Sequence, residues 1–156
     1  MSISKVKDYF ESYGVAHRVQ EFEVSSATVE LASKALGCEP ERIAKTLAFQ
    51  TPEGSILIVT AGDVRIDNSK YKAFFKTKAK MIPSVETEEK IGHTVGGVCP
   101  FAVKEGVIVY LDESLKRFNT VFPACGSSNS AIELSLDELE KYSRFQEWID
   151  VCKPAF

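Results

Sequence analysis

Apolar residues recur along this chain with two different periods, and each change of period marks a new element. Val6, Tyr9, Phe10 and Tyr13 stand at helical spacing and Gly14 follows where a left-handed terminator belongs, which predicts a helix over about 4–13. Residues 17–22 alternate loosely and predict a half-buried strand. Leu31, Ala32, Ala35 and Leu36 make a second helical face, entered through Ser26 or Thr28 as a cap and stopped at Gly37. After a turn over 40–43, the β-prone runs 45–50 and 56–60 flank Thr51-Pro52-Glu53-Gly54-Ser55, the punctuation of a hairpin.

Tyr71, Phe74 and Phe75 predict a third helix, followed by a strand near 79–82, a charged helix near 85–90 and a glycine-rich loop over 92–100. Residues 107–111, 119–123 and 131–134 read as further strands. The last helix has the clearest start: Ser135 and Glu138 form a capping box, with Leu134 and Leu139 at the staple positions and Leu136, Leu139 and Tyr142 facing inward. Strands outnumber the helices that could join them as parallel crossovers. The expected fold is therefore α+β, with a mixed, mainly antiparallel sheet.

Length and composition narrow the class. The 156 residues, 44% hydrophobic and 26% charged, carry no repeat or linker and predict a single domain over 1–156. The longest apolar runs, 56–59 and 107–111, are far shorter than the roughly 18 residues of a membrane span, so no membrane association is expected. Lys5, Lys7 and Asp8 stand where a signal peptide needs an apolar stretch. Cys38, Cys99, Cys125 and Cys152 are widely spaced, with only His17 and His93 to assist them. They form neither a zinc pattern nor a disulfide framework, and the expectation is a cytoplasmic protein without metal or cofactor.

The net charge of −3 offers no chain-wide attraction for nucleic acid, yet Lys70, Lys72, Lys76, Lys78 and Lys80 concentrate five positive charges in eleven residues. A polyanion such as tRNA is expected to meet this segment first. The alternative is that Lys72 and Lys76 form the solvated back of a helix whose aromatic residues face the core.

Candidate chemistry gathers at three places. Alternation puts Lys45, Leu47 and Phe49 on one face of a strand, which draws Lys45 inward as a point charge for a carbonyl or phosphate; it could equally snorkel to water. In Gly92-His93-Thr94-Val95-Gly96-Gly97-Val98-Cys99-Pro100-Phe101, the adjacent glycines could expose backbone N–H groups to a developing oxyanion, or form an ordinary turn. Cys99 with His93 as base is a nucleophile candidate, against an inert buried thiol. Cys125-Gly126-Ser127-Ser128-Asn129-Ser130 could bind a substrate hydroxyl or amine, or fold into turns on its own backbone. The carboxylate pairs near residues 86–89 and 137–138 read as solvated helix faces and caps.

Taken in order, Arg42-Ile43-Ala44-Lys45-Thr46-Leu47, Gly96-Gly97-Val98-Cys99-Pro100-Phe101 and Gly126-Ser127-Ser128-Asn129-Ser130-Ala131-Ile132-Glu133-Leu134 resemble the YbaK and prolyl-tRNA synthetase editing-domain family. The resemblance implies a mixed sheet curled towards a barrel and flanked by helices. It implies hydrolysis of mischarged aminoacyl-tRNA in trans, or, as an alternative, a non-catalytic module that binds aminoacyl-tRNA or an aminoacyl-tRNA synthetase. Lys45 matches the family's central lysine, and Gly96 to Pro100 match its G-x-x-x-P loop, with Gly96 and Gly97 at the reaction centre. Phe22, Val98, Cys99, Pro100, Gly126, Ser128 and Asn129 are the implied substrate contacts. Phe22 and Ala131 replace a tyrosine and an acidic residue of the branch that removes cysteine from tRNA for proline. In this the chain looks more like the less specialised free-standing members.

Overall fold

The computed structural model describes residues 2–155. Helix α1 (Ser2–Glu11) leads through a 3-10 turn at Ala16–Arg18 to the short strand β1 (Gln20–Glu21) and helix α2 (Val29–Leu36). A 3-10 turn at Pro40–Arg42 feeds the hairpin β2 (Ile43–Thr51) and β3 (Gly54–Ala61), then β4 (Val64–Ile66) and α3 (Asn68–Phe75). The short α4 (Thr87–Ile91) precedes the glycine-rich loop, after which come β5 (Ile108–Asp112), β6 (Thr120–Pro123), β7 (Ser130–Ala131) and β8 (Leu134–Ser135). Helix α5 (Leu136–Ser143), β9 (Glu147–Ile149) and β10 (Cys152–Pro154) complete the order.

The main sheet is curled and mixed, in the order β8-β6-β2-β3-β5-β9. β2 and β3 pair antiparallel from Ala44↔Ala61 to Thr51↔Gly54, and β6 and β8 are also antiparallel. β6 lies parallel to β2, β5 to β3, and β9 to β5. Two antiparallel ribbons, β1 with β7 and β4 with β10, stand outside it. The expected α+β fold with a mixed sheet is what the chain adopts.

Leu57, Ile58 and Val59 in β3 are all fully buried, so this central strand is covered on both faces and shows no alternation. Each such side chain contributes about 1.5–3 kcal/mol on leaving water. At one end of the core, Phe10 of α1 packs against Phe101 and Tyr142 at centroid distances of 4.8 and 5.6 Å. Asp112 is buried but satisfied, accepting from Ser114 N at 2.9 Å and Val151 N at 3.0 Å. The capping box at Ser135 and Glu138 forms as expected, over a buried Leu134 and Leu139.

Several expectations shift in detail. Thr28 caps α2, and the buried positions are Ala32 and Ser33, with Val29 and Leu36 beside them, while Leu31 is 42% exposed. The inward face is thus the 29/32/33/36 stripe, one residue away from the one the apolar pattern suggests. The expected strand at 17–22 contracts to Gln20–Glu21, because His17 and Arg18 close a 3-10 turn. The expected strand at 79–82 is a single bridge, Phe49↔Met81. The one expected at 131–134 is cut into β7 and β8 where Ile132 N turns to donate to Pro123 O.

Candidate functional site

The site begins with an interruption in the sheet. β6 pairs with β2 at Ile43 and Ala44 only, and the next backbone bonds on that edge are Ile82 N to Ala48 O and Gln50 N to Lys80 O. Even-numbered residues of β2 therefore turn their backbone groups to this edge, and those of Thr46 fall in the gap, where among the described residues no strand pairs with them. A cavity of about 360 Å³ occupies the gap, a size suited to a small ligand. Ala44, Lys45, Thr46, Leu47 and Ala48 form its floor, and Phe122, Ala124, Ser130 and Ala131 one wall. Ser26 to Val29, Met81 and Ile82, and Val95, Gly96 and Val98 complete the lining.

Lys45 stands in this floor, half-buried, with its ammonium donating to the carbonyl of Val64. Burial draws its pKa below the ordinary lysine value, partly offset by the neighbouring Asp63 carboxylate. Asp63 is itself gripped by both terminal nitrogens of Arg117, at 2.5 and 2.9 Å, which holds its carboxyl low.

The two glycines of the loop divide their tasks. Gly96, at φ +90°, lines the cavity beside Val98. Gly97 does not line it, and its N–H is already engaged by Thr94 O at 3.1 Å. Expected as a reaction-centre donor, Gly97 here bonds within its own loop. A Cβ on Gly97 would stand 2.7 Å from both Gly126 C and Ser127 N, so the residue is small because the 126–130 loop crosses it. From this loop Val95, Gly96 and Val98 line the cavity.

Cys99 and Pro100, expected as substrate contacts, are buried and do not line the cavity. His93 Nε2 lies 2.7 Å from Phe101 O and therefore carries the proton it donates there; Nδ1 accepts from Ser2 Oγ at 2.5 Å. Both ring nitrogens are committed, burial lowers the imidazole pKa, and burial pushes the Cys99 thiol up to about 12. Although Sγ and Nε2 are 3.5 Å apart, the pair lacks a free base and a stable thiolate.

Gly126, Ser128 and Asn129 also lie outside the cavity, lining a second, polar groove with Ser2, Lys5 and Lys104. Their polar groups are turned to bracing instead. Asn129 Nδ2 donates to Phe22 O at 2.8 Å, Phe22 N donates to Asn129 O at 2.8 Å, and Ser26 N donates to Ser128 O at 2.6 Å. This holds the 22–26 segment so that Ser26, Ala27 and Thr28 can close the cavity. Phe22 is half-buried in that brace and does not line the cavity.

All five lysines of the basic segment are exposed. Lys70 is tied to Asp150 Oδ1 at 3.0 Å and to Cys152 O at 2.9 Å. Lys72 and Lys78 flank a shallow hollow with Asn68 and Ser69. Lys80 directly precedes Met81 in the cavity wall. The sequence reading missed Thr46, Met81, Ile82 and Ala124 as wall residues. Alternation beside Lys45 could have flagged Thr46; the others depend on where β6 stops, which carries no local signature. Among the described residues, no group of three His, Cys, Asp or Glu side chains is placed to hold a metal ion, and no helix is long and apolar enough to cross a membrane.

The chain has relatives among known proteins and solved structures. The chain is 52% identical over 155 residues to the uncharacterized protein YwhH of Bacillus subtilis (strain 168), covering 98% of each. A 77-residue stretch is 31% identical to the proline–tRNA ligase of Thermotoga sp. (strain RQ2), covering 49% of this chain and 13% of that enzyme. Among solved structures, a candidate trans-editing enzyme for prolyl tRNA synthetase superposes with a TM-score of 0.88 at 27% identity, covering 97% of both chains. A hypothetical protein of known structure gives 0.84 at 26% identity, covering 96% of this chain and 99% of that one. The family described as the aminoacyl-tRNA editing domain matches residues 23–142, and the chain belongs to that family.

Proposed function

We propose that the protein is a trans-acting aminoacyl-tRNA deacylase that hydrolyses the ester of mischarged tRNA. One observation carries the reading: in an editing-domain chain, a cavity of amino-acid size lies between a lysine-bearing strand and a glycine turn. The need is physical, because a synthetase pocket gains only about 1–3 kcal/mol per methylene and admits smaller amino acids. An aminoacyl ester is already activated and has a neighbouring ribose hydroxyl. A bound water attacks the carbonyl carbon, the N–H groups of Gly96 and Val98 receive the developing oxyanion, and the ribose oxygen leaves with a proton. Lys45 supplies positive charge near the ester or terminal phosphate once its ammonium leaves the Val64 carbonyl. Exposed Lys72, Lys76, Lys78 and Lys80 supply phosphate contacts for the tRNA body. The likeness to prolyl-tRNA ligases makes tRNA for proline the first to test.

The resting bond from Lys45 to Val64 favours one second reading, a module that binds aminoacyl-tRNA or a synthetase without turnover. Ester loss measured across a panel of mischarged tRNAs separates the two. Catalytic turnover is expected for at least one, with Lys45→Ala losing most of it while folding normally. An ester lifetime unchanged or lengthened by the protein would leave the binding module. Activity of Lys45→Ala within about threefold of wild type would remove Lys45 from the chemistry.

A further inference from the structure

The cavity is walled mainly by small apolar side chains, Ala44, Ala48, Ala124 and Ala131 among them, yet its floor is a bare strand edge. Between the last β6 bond at Ala44 and the Ile82 N to Ala48 O bond, alternation leaves three backbone groups facing the gap. They are the N–H and C=O of Thr46 and the N–H of Ala48, in the order donor, acceptor, donor. A buried strand edge without a partner is costly, and native proteins pair or cover such edges unless a ligand uses them. A space of this size, with this edge, suits one amino-acid residue.

We infer that the aminoacyl group docks here as a one-residue strand, its free α-amino group donating to Thr46 O and its ester carbonyl accepting from the N–H of Ala48. That is the bond pattern of a parallel ladder, continuing along β2 the pairing that β6 abandons after Ala44. Two consequences follow for the proposed deacylase activity, on which this inference rests. The site reads the α-amino group, which every aminoacyl-tRNA carries, by backbone alone, and it leaves the choice among side chains to the surrounding walls. Docking also fixes the ester carbonyl on the β2 edge, so that the Ala48 N–H joins the donors to the oxyanion as it develops. Desamino esters, which have no α-nitrogen, lose the Thr46 contact and are poor substrates.

The test compares two adenosine esters of matched size, an alanyl ester and its desamino counterpart, the propionyl ester. Each enzymatic rate is divided by the ester's own hydroxide-catalysed rate, because an α-ammonium group activates the ester by itself. The wild-type protein is expected to favour the alanyl ester by roughly 100-fold or more in corrected kcat/KM, the scale on which unpaired site groups reject a substrate. A corrected ratio within about threefold overturns the inference while leaving deacylation intact. Absence of turnover on the alanyl ester and on every mischarged tRNA would instead overturn the deacylase reading. As a second arm, replacing Ala48 by lactic acid through nonsense suppression deletes one N–H and changes no side chain. It is expected to lower kcat/KM on the alanyl ester by about tenfold, and a loss below about twofold would overturn the Ala48 contact.

Discussion

Gly97→Ala is a small change with a large expected effect, and the reason is distance. The added methyl would sit 2.7 Å from Gly126 C and Ser127 N and 2.8 Å from Gly126 O, well inside the 3.4 Å at which ordinary contact begins. All three atoms are backbone, so no side chain can rotate away. Overpacking of this kind costs about 1–3 kcal/mol. Alanine also narrows the unfolded ensemble, which returns about 0.4–1 kcal/mol. A net loss of about 1–2 kcal/mol remains, and for a chain of this length Tm should fall by roughly 3–8 °C. The strain has a path to the site. Moving residues 126–127 pulls on Ser128 and Asn129, which hold Ser26 and Phe22, so the segment that closes the cavity shifts with them. Deacylation should drop by about 30-fold or more, since misplacement of a reacting centre by about 1 Å is worth up to 100-fold. Differential scanning calorimetry and single-turnover hydrolysis on the same preparation decide it. An unchanged Tm with activity within about threefold of wild type would refute the account of Gly97 as a packing contact.

Three further outcomes are expected. Cys99→Ser should keep deacylation within about threefold and wild-type Cys99 should resist alkylation, because the thiol is pushed up to about 12; complete inactivity of the folded variant would restore the nucleophile reading. Neutralising Lys72, Lys76 and Lys78 together should weaken tRNA binding and flatten its salt dependence by about 0.9 per lost phosphate contact, whereas an unchanged slope would move the tRNA surface elsewhere. The Arg18 fork, reinforced by the Ser135 N–H, pulls the Glu138 carboxyl down to about 2, so its stabilisation is present above about pH 4.3 and is lost as pH falls towards 2. Glu138→Gln keeps the cap and removes the charge: urea melts should show a gap of about 1 kcal/mol at pH 7 that closes by pH 2, and a pH-independent gap would sink the assignment.

Elements whose pattern is set locally were legible in the sequence, and those set by distant partners were not. The Ser135 and Glu138 box, the Gly37 stop and the β2–β3 hairpin each need only a few neighbouring residues, and all three form as expected. β4, β9 and β10 went unseen because each is three residues long and exists through a partner far along the chain, as Val64 does with Pro154. The same division runs through the site. That Lys45 and Gly96 line a cavity follows from strand alternation and from a glycine turn, both local signals. The roles of Gly97, Cys99 and Asn129 were not legible, because each depends on a contact with another segment: the 126–127 peptide, the committed His93 ring, and the Phe22 backbone.

The three motifs that carry the family resemblance therefore do three unlike things. The first supplies a cation and an unpaired strand edge, since β2 runs on past the end of β6. The second supplies a turn whose glycines meet different demands, Gly96 a positive φ at the cavity and Gly97 the near contact with a crossing loop. The third, which looks from its serines and asparagine like a binding loop, is a brace that seats the 22–28 segment over the cavity. On the proposed deacylase reading this arrangement suits the chemistry: an activated ester needs placement more than it needs a strong base, and a strand edge, a fixed turn and a braced segment would provide placement. It also separates the residues by expected failure. Changes at the brace should raise KM and lower kcat together, because the whole cavity loosens, while loss of the Lys45 charge should act mainly on kcat, because the strand that carries it stays paired along β3.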